Sequence, residues 1–117
     1  MVTVYEQGDI VYLNFSPQAG HEQKGFRPAL VVSNATANRF TRLVMVCPIT
    51  HADRNQPFHV KLDDRTKTGG FVMADQVRMA DLMQRQARYI EKAPADIVSE
   101  VVDIITGFME SPGTVLF

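Results

Sequence analysis

The apolar residues of this chain change their spacing once. As far as about residue 92 they fall into short, β-branched runs cut off by proline, glycine or asparagine, and beyond Pro94 they recur every three or four residues. Short runs bounded by turn residues are the pattern of strands, and three- and four-residue spacing is that of an amphipathic helix. The chain is therefore expected to be mainly β with a C-terminal helix (α+β). Strands are expected over about residues 8–92, a helix over about 94–110 and an apolar tail over 111–117, all in a single domain 1–117. Several short strands followed by one such helix describe a small curled barrel capped by a helix.

After a loose lead-in at residues 1–7, Ile10, Tyr12 and Asn14 alternate against Val11, Leu13 and Phe15, a strand that Ser16-Pro17 ends. A loop of about ten residues follows, longer than the usual hairpin connection. The run Ala29 to Val32 then reads as a buried strand. Pro28 cannot donate to a ladder and belongs at a strand's first positions or on an edge, which puts Arg27 at the strand mouth. Asn34 to Arg42 reads as a polar connection, Leu43 to Ile49 as a third strand, Phe58 to Leu62 as a fourth and Phe71 to Ala74 as a fifth. Pro94 suits a first helical turn and Asp96 favours its dipole. Ile97, Val98, Val101, Val102, Ile105, Phe108 and Met109 then form one apolar stripe.

A hydrophobic content of 45% excludes disorder, and no apolar run approaches the roughly 20 residues of a membrane span. The first residues lack the basic and apolar regions of a signal peptide, so a cytoplasmic location is expected. The single cysteine, Cys47, excludes an internal disulfide and a thiolate-rich zinc site, and within its apolar run it reads as a small buried hydrophobe. The three histidines lack regular spacing and no carboxylate cluster accompanies them, so neither a metal nor a cofactor is expected. Charge is divided unevenly. All twelve Lys and Arg lie between Lys24 and Lys92 against six acids there, and the flanks hold seven acids and no base. A basic body between acidic ends suits a phosphate-rich ligand held in a local groove.

One stretch concentrates polar chemistry ahead of a strand: Gly20-His21-Glu22-Gln23-Lys24-Gly25-Phe26-Arg27-Pro28. With Gly8-Asp9-Ile10, Pro17, Pro48-Ile49-Thr50 and Ala74-Asp75-Gln76-Val77-Arg78, its order and spacing resemble the MazF/PemK family of toxin endoribonucleases of bacterial toxin–antitoxin systems, over roughly residues 8 to 110. The Glu-Gln-x-Gly-x-Arg-Pro segment is the specific part. The resemblance implies an SH3-like barrel of the CcdB/MazF/PemK type acting as a homodimer. It further implies an mRNA interferase that cuts single-stranded RNA without a metal, leaving a 2′,3′-cyclic phosphate and a 5′-hydroxyl, and is neutralised by a cognate antitoxin. With the arginine-rich spacing, it favours a small turn and a strand around Arg85 to Ile90 for the ambiguous region Met79 to Lys92.

RNA cleavage of that kind needs a base for the 2′-hydroxyl and positive charge and donors for the phosphorane. Arg27, charged at any working pH and shaped to fit phosphate, suits the second role. Glu22 is the best candidate base by chemistry, given a raised pKa. His21 is open as base, acid or phosphate contact, although many family members have a non-titrating residue there. Thr50 offers a hydroxyl to a phosphate oxygen, and the resemblance maps it onto a catalytic or phosphate-binding threonine. Asp75 and Gln76 match a position that reads bases or, in some members, carries an acid proposed as the base. PemK-like members have an arginine two residues before that acid, and this chain has Met73, which shifts the expectation toward Arg27 and Thr50. RNA is read largely as unpaired bases, by stacking and by hydrogen bonds at their edges. Phe15, Gln23, Asn38, Gln76 and Arg78 are the candidate base or backbone contacts. Of His51 and His59, at least one reads as an exposed loop histidine without a role. Two rivals stand beside the nuclease: a CcdB-like gyrase-poisoning toxin, for which Glu22, Arg27 and Thr50 would be useless, and a catalytically silent barrel that binds RNA or protein.

Overall fold

A computed structural model describes residues 4–16, 25–52 and 56–111. Among these are seven strands: β1 Asp9–Asn14, β2 Phe26–Val31, β3 Leu43–Thr50, β4 His59–Lys61, β5 Phe71–Met73, β6 Arg78–Asp81 and β7 Arg88–Lys92. A short helix α1, Ala35–Phe40, joins β2 to β3, and α2, Ala95–Met109, ends the described chain. All pairings are antiparallel, in the order β4-β5-β3-β2-β1-β7, with β6 also paired to β3.

The longest strand, β3, organises the sheet. Along one edge it pairs with β2. Along the other its first half pairs with β6 (Leu43 to Val46) and its last two residues pair with β5. Alternate residues of β2 and β3 enter two different cores. Leu30, Cys47 and Ile49 join Ile10, Val60 and Val72 beneath Ile97, Val98, Val101 and Ile105 of α2, whereas Ala29, Val31, Val44 and Val46 join Val11, Leu13, Ala80 and Leu82. Burial on both faces is why these strands read as continuous apolar runs rather than as alternation. Each fully buried aliphatic side chain contributes about 1.5–3 kcal/mol, so the α2 stripe is a principal clamp on the sheet.

The two ends of the strand order approach each other. The Glu91 carboxylate on β7 accepts from the Lys67 and Thr68 N–H groups and from the Thr68 hydroxyl (3.0, 2.8 and 2.8 Å), in the turn between β4 and β5. The expected curled sheet is thus tied across its opening by a side chain.

Four local expectations are corrected. Residues 34–42 are not simply a connection. Asn34 caps α1 by accepting from the Ala37 N–H at 2.9 Å, and at six residues the helix is too short to show an apolar stripe. The stretch from Arg78 to Lys92 holds two strands, not a turn and one strand at Arg85 to Ile90. β6 exposes Arg78 and Met79 and buries only Ala80 deeply, so its alternation is masked, and the turn to β7 passes through Gln86 at φ 58°. β2 begins at Phe26, ahead of Pro28, because β3 pairs with it only from Ala29 onward and no donor is needed on that side. The lead-in is not loose over residues 4–7: the Gln7 amide donates to the Val32 carbonyl at 2.8 Å, and the Tyr5 hydroxyl to Ala87. The tail 112–117 lies outside the described residues.

Candidate active site

The site forms where β2 and β3 part. Counting on from the last pair, Ala29 with Pro48, brings Arg27 level with Thr50 beyond the end of the ladder. Arg27 is exposed and Thr50 half-buried. Two glycines shape the approach. A Cβ on Gly25 would overlap Asn14 and Ser16, and Gly70 adopts φ +106° with its Cα against the Thr50 carbonyl, a place and conformation that suit only glycine. The Phe15 N–H donates to the Gly25 carbonyl at 2.7 Å, pinning the ends of the intervening loop together next to Arg27. His21, Glu22 and Gln23 belong to that loop and lie outside the described residues.

Arg27 and Thr50 form a wall shared by two hollows. One, of about 360 Å³, is completed by Gln56, His59, Met73, Asp75 and Gln76. The other, of about 400 Å³, is completed by Tyr12, Phe26, Pro28, Ile49 and His51. The Thr50 oxygen accepts from the Ala52 N–H at 3.1 Å, which leaves its hydroxyl hydrogen free to donate. The first hollow presents a guanidinium, a hydroxyl, a carboxylate and two amides. The second offers the Tyr12 and Phe26 rings, 5.6 Å apart at centroids and tilted by 30°. A chain of bases and phosphates can place a phosphate on the shared wall and its neighbouring bases on either side.

Asp75 reaches the first hollow through a 3-10 turn, Ala74–Gln76, that leaves β5 and is tied to the residue just ahead of β4 by the Ala74 N–H donating to the Phe58 carbonyl at 3.1 Å. Its charge is felt beneath the site. Burial, with a further contribution from Asp75, pushes the Cys47 thiol up to about 12, so Cys47 is an inert, neutral core residue, as its sequence context indicates.

Among the residues singled out by sequence, Arg27, Thr50, Asp75 and Gln76 come together. Three others do not line this hollow. Phe15 is half-buried against the second core, with the Arg78 guanidinium 5.2 Å above its ring, so these two partner each other. Asn38 is buried in α1, its amide donating to the Tyr5 and Ser33 carbonyls at 2.8 and 3.1 Å. It borders a separate hollow of about 440 Å³ with Phe40, Arg42, Asp81 and Met83. Sequence reasoning missed His59, Tyr12 and Phe26. Of His51 and His59, at least one of which was expected to be exposed, His51 is exposed, whereas the side chain of His59 is only 7% exposed, with Nε2 3.8 Å from Asp75 Oδ1. His59 stands directly across the ladder from Met73, a neighbour that only register reveals.

The PemK-like, MazF-like toxin family of type II toxin–antitoxin systems matches residues 6–108. This chain belongs to that family. It is 41% identical over 101 residues to the endoribonuclease PemK of Escherichia coli, covering 83% of this chain and 76% of that protein. A crystal structure of MazF from Deinococcus radiodurans superposes with a TM-score of 0.82 at 42% identity, covering 92% and 98% of the two chains. MazF in a MazE–MazF complex from the same organism gives 0.81 at 39% identity, covering 92% and 97%. The match extends through both edges of the Arg27 wall, and the mainly antiparallel sheet with its C-terminal helix is the fold these relatives share.

Proposed function

We propose that this toxin-family chain is a sequence-specific endoribonuclease that cuts single-stranded mRNA without a metal. The observation that carries the reading is the position of Arg27 and Thr50 as the common wall of a polar and an aromatic hollow. The 2′-oxygen attacks the adjacent phosphorus, the bond from phosphorus to the 5′-oxygen breaks, and the products are a 2′,3′-cyclic phosphate and a 5′-hydroxyl. The proton leaving the 2′-hydroxyl passes to a base, for which Glu22 is the candidate and His21 the alternative. The departing 5′-oxygen takes a proton in turn. Arg27 supplies fixed positive charge to the phosphorane and Thr50 a neutral donor, so charge stabilisation requires no ion.

The partners follow the same reading. A cognate antitoxin with an acidic segment suits the basic central block, and one of the similar structures is itself a MazE–MazF complex. Self-association as a homodimer suits the outer face of β3 and β6, where Leu43 and Met79 are half exposed beside an almost fully exposed Phe40. No described helix is long and apolar enough to cross a membrane, and the cytoplasm is where the substrate is found. The test is incubation with mixed-sequence single-stranded RNA in excess EDTA, wild type beside Arg27→Ala, with product ends mapped. Discrete cuts ending in cyclic phosphate that vanish in the variant are expected. RNA left intact by the wild type would overturn the reading in favour of a gyrase-directed or binding-only barrel.

A further inference from the structure

His59 is the buried polar group for which neither the fold nor the cleavage chemistry yet accounts. It opens β4, at the end of the short β4–β5 pair, opposite Met73, with a side chain 7% exposed. Its Nδ1 is buried and has no hydrogen-bond partner among the described residues. An imidazole with no acceptor at Nδ1 places its proton on Nε2, and Nε2 faces Asp75 Oδ1 at 3.8 Å. That distance is longer than a hydrogen bond, and a shift of under about 1 Å closes it. Asp75 itself is exposed at the rim, next to Gln76, in the hollow walled by Arg27 and Thr50. Among the described residues, Arg27 and Asp75 are the fully charged groups lining that hollow, and Met73 and Thr50 add no charge to the surroundings of the ring.

We propose that His59 is a specificity-determining positioning residue. It holds the Asp75 carboxylate as the acceptor for an amine-bearing base edge of the RNA, in the subsite on the polar side of the Arg27–Thr50 wall. This rests on the RNA-cutting reading and deepens it. A carboxylate is an acceptor only, so it favours adenine, cytosine or guanine, each of which carries an exocyclic amine. Uracil flanks its one imino donor with two carbonyl oxygens that repel the carboxylate. Because Asp75 stands on a three-residue turn, it has few ways to be fixed in direction, and the buried ring behind it supplies one. A site built around such an acceptor rejects the wrong edge by leaving a charged group unpaired, an effect of about tenfold or more.

The experiment maps cut sites on a randomised single-stranded RNA for wild type, Asp75→Ala, His59→Phe, the double variant and His59→Gln. The wild type is expected to disfavour uracil at least about tenfold at one position near the cut. Asp75→Ala and His59→Phe each bring that to about threefold or less at the same position, and the double variant goes no further than Asp75→Ala. His59→Gln, which keeps an N–H donor, falls between. His59→Ala gives the same reading if the phenylalanine chain does not fold. Overturning results are a preference that survives both His59→Phe and His59→Ala, relaxation at a position that Asp75→Ala leaves alone, or a wild type that accepts uracil everywhere. If the wild type cuts nothing, the nuclease reading falls on its own. The inference is then decided by sequencing RNA retained by the same chains: loss of the preference in His59→Phe supports it, and an unchanged preference overturns it.

Discussion

The two ends of β3 carry hollows of similar size and opposite character. At Thr50 the hollow of about 360 Å³ is lined by groups whose hydrogen-bonding capacity is largely unspent among the described residues. At Leu43 the hollow of about 440 Å³ also contains polar residues, but the buried Asn38 and the half-buried Asp81 are committed. The Asn38 amide is taken up by Tyr5 and Ser33, and one Asp81 oxygen accepts from the Met83 and Gln84 N–H groups at 3.1 and 3.2 Å. Around them Phe40 and Met83 are 85% and 78% exposed. Volume does not separate a site from a surface in this molecule. Uncommitted polar groups do, because a ligand can be recognised only by donors and acceptors that the fold has not already used.

The largest expected effect lies at the committed–uncommitted boundary itself. Arg27→Ala should reduce cleavage by roughly 10³-fold, as loss of a preorganised charge does, while leaving the unfolding temperature near that of wild type, since Arg27 is exposed. Kinetics on a defined RNA together with a melting curve checks both halves. Thr50→Val should cost roughly tenfold in kcat through loss of one neutral donor, with little change in KM. At the other end the pattern inverts. Asn38→Ala should destabilise the fold by roughly 1–3 kcal/mol, measured by urea unfolding, because the Tyr5 and Ser33 carbonyls lose their donor. Cleavage per folded molecule should be unchanged.

How much of this was readable from sequence follows from the kind of interaction involved. α2 and the buried strands β2 and β3 were legible because burial on a periodic face or on both faces leaves a direct trace in residue type. Arg27, Thr50, Asp75 and Gln76 were legible because they sit at element ends beside the residues that resemble the family. α1 and β6 were not, since one is too short for periodicity and the other shows mostly polar and exposed residues. His59 was missed for a different reason. In Phe58 to Leu62 it alternates with Val60 and so belongs to the outward face with Lys61, but the 3-10 turn carrying Asp75 is brought against it, a contact set by register and not by local pattern.

The smallest expected effect concerns closure of the sheet. Burial works to raise the Glu91 carboxyl, but hydrogen bonds from Lys67 and Thr68 outweigh it and hold the group below the ordinary carboxylate range. A depressed carboxyl stabilises the fold above its unfolded pKa of about 4.3 and loses that contribution as pH falls through the folded value. Below about pH 4 the melting temperature of wild type should therefore fall more steeply than that of Glu91→Gln, a difference that calorimetry across pH 3 to 7 resolves.

The most direct test of the contrast between the two ends is to titrate the isotope-labelled protein with an RNA oligonucleotide made uncleavable by 2′-deoxy substitution and follow the backbone amide resonances. The account predicts that the shifts concentrate at Arg27, Thr50 and residues 73–76. Shifts concentrated at residues 35–42 and 81–83, with Arg27 and Thr50 unmoved, would contradict it.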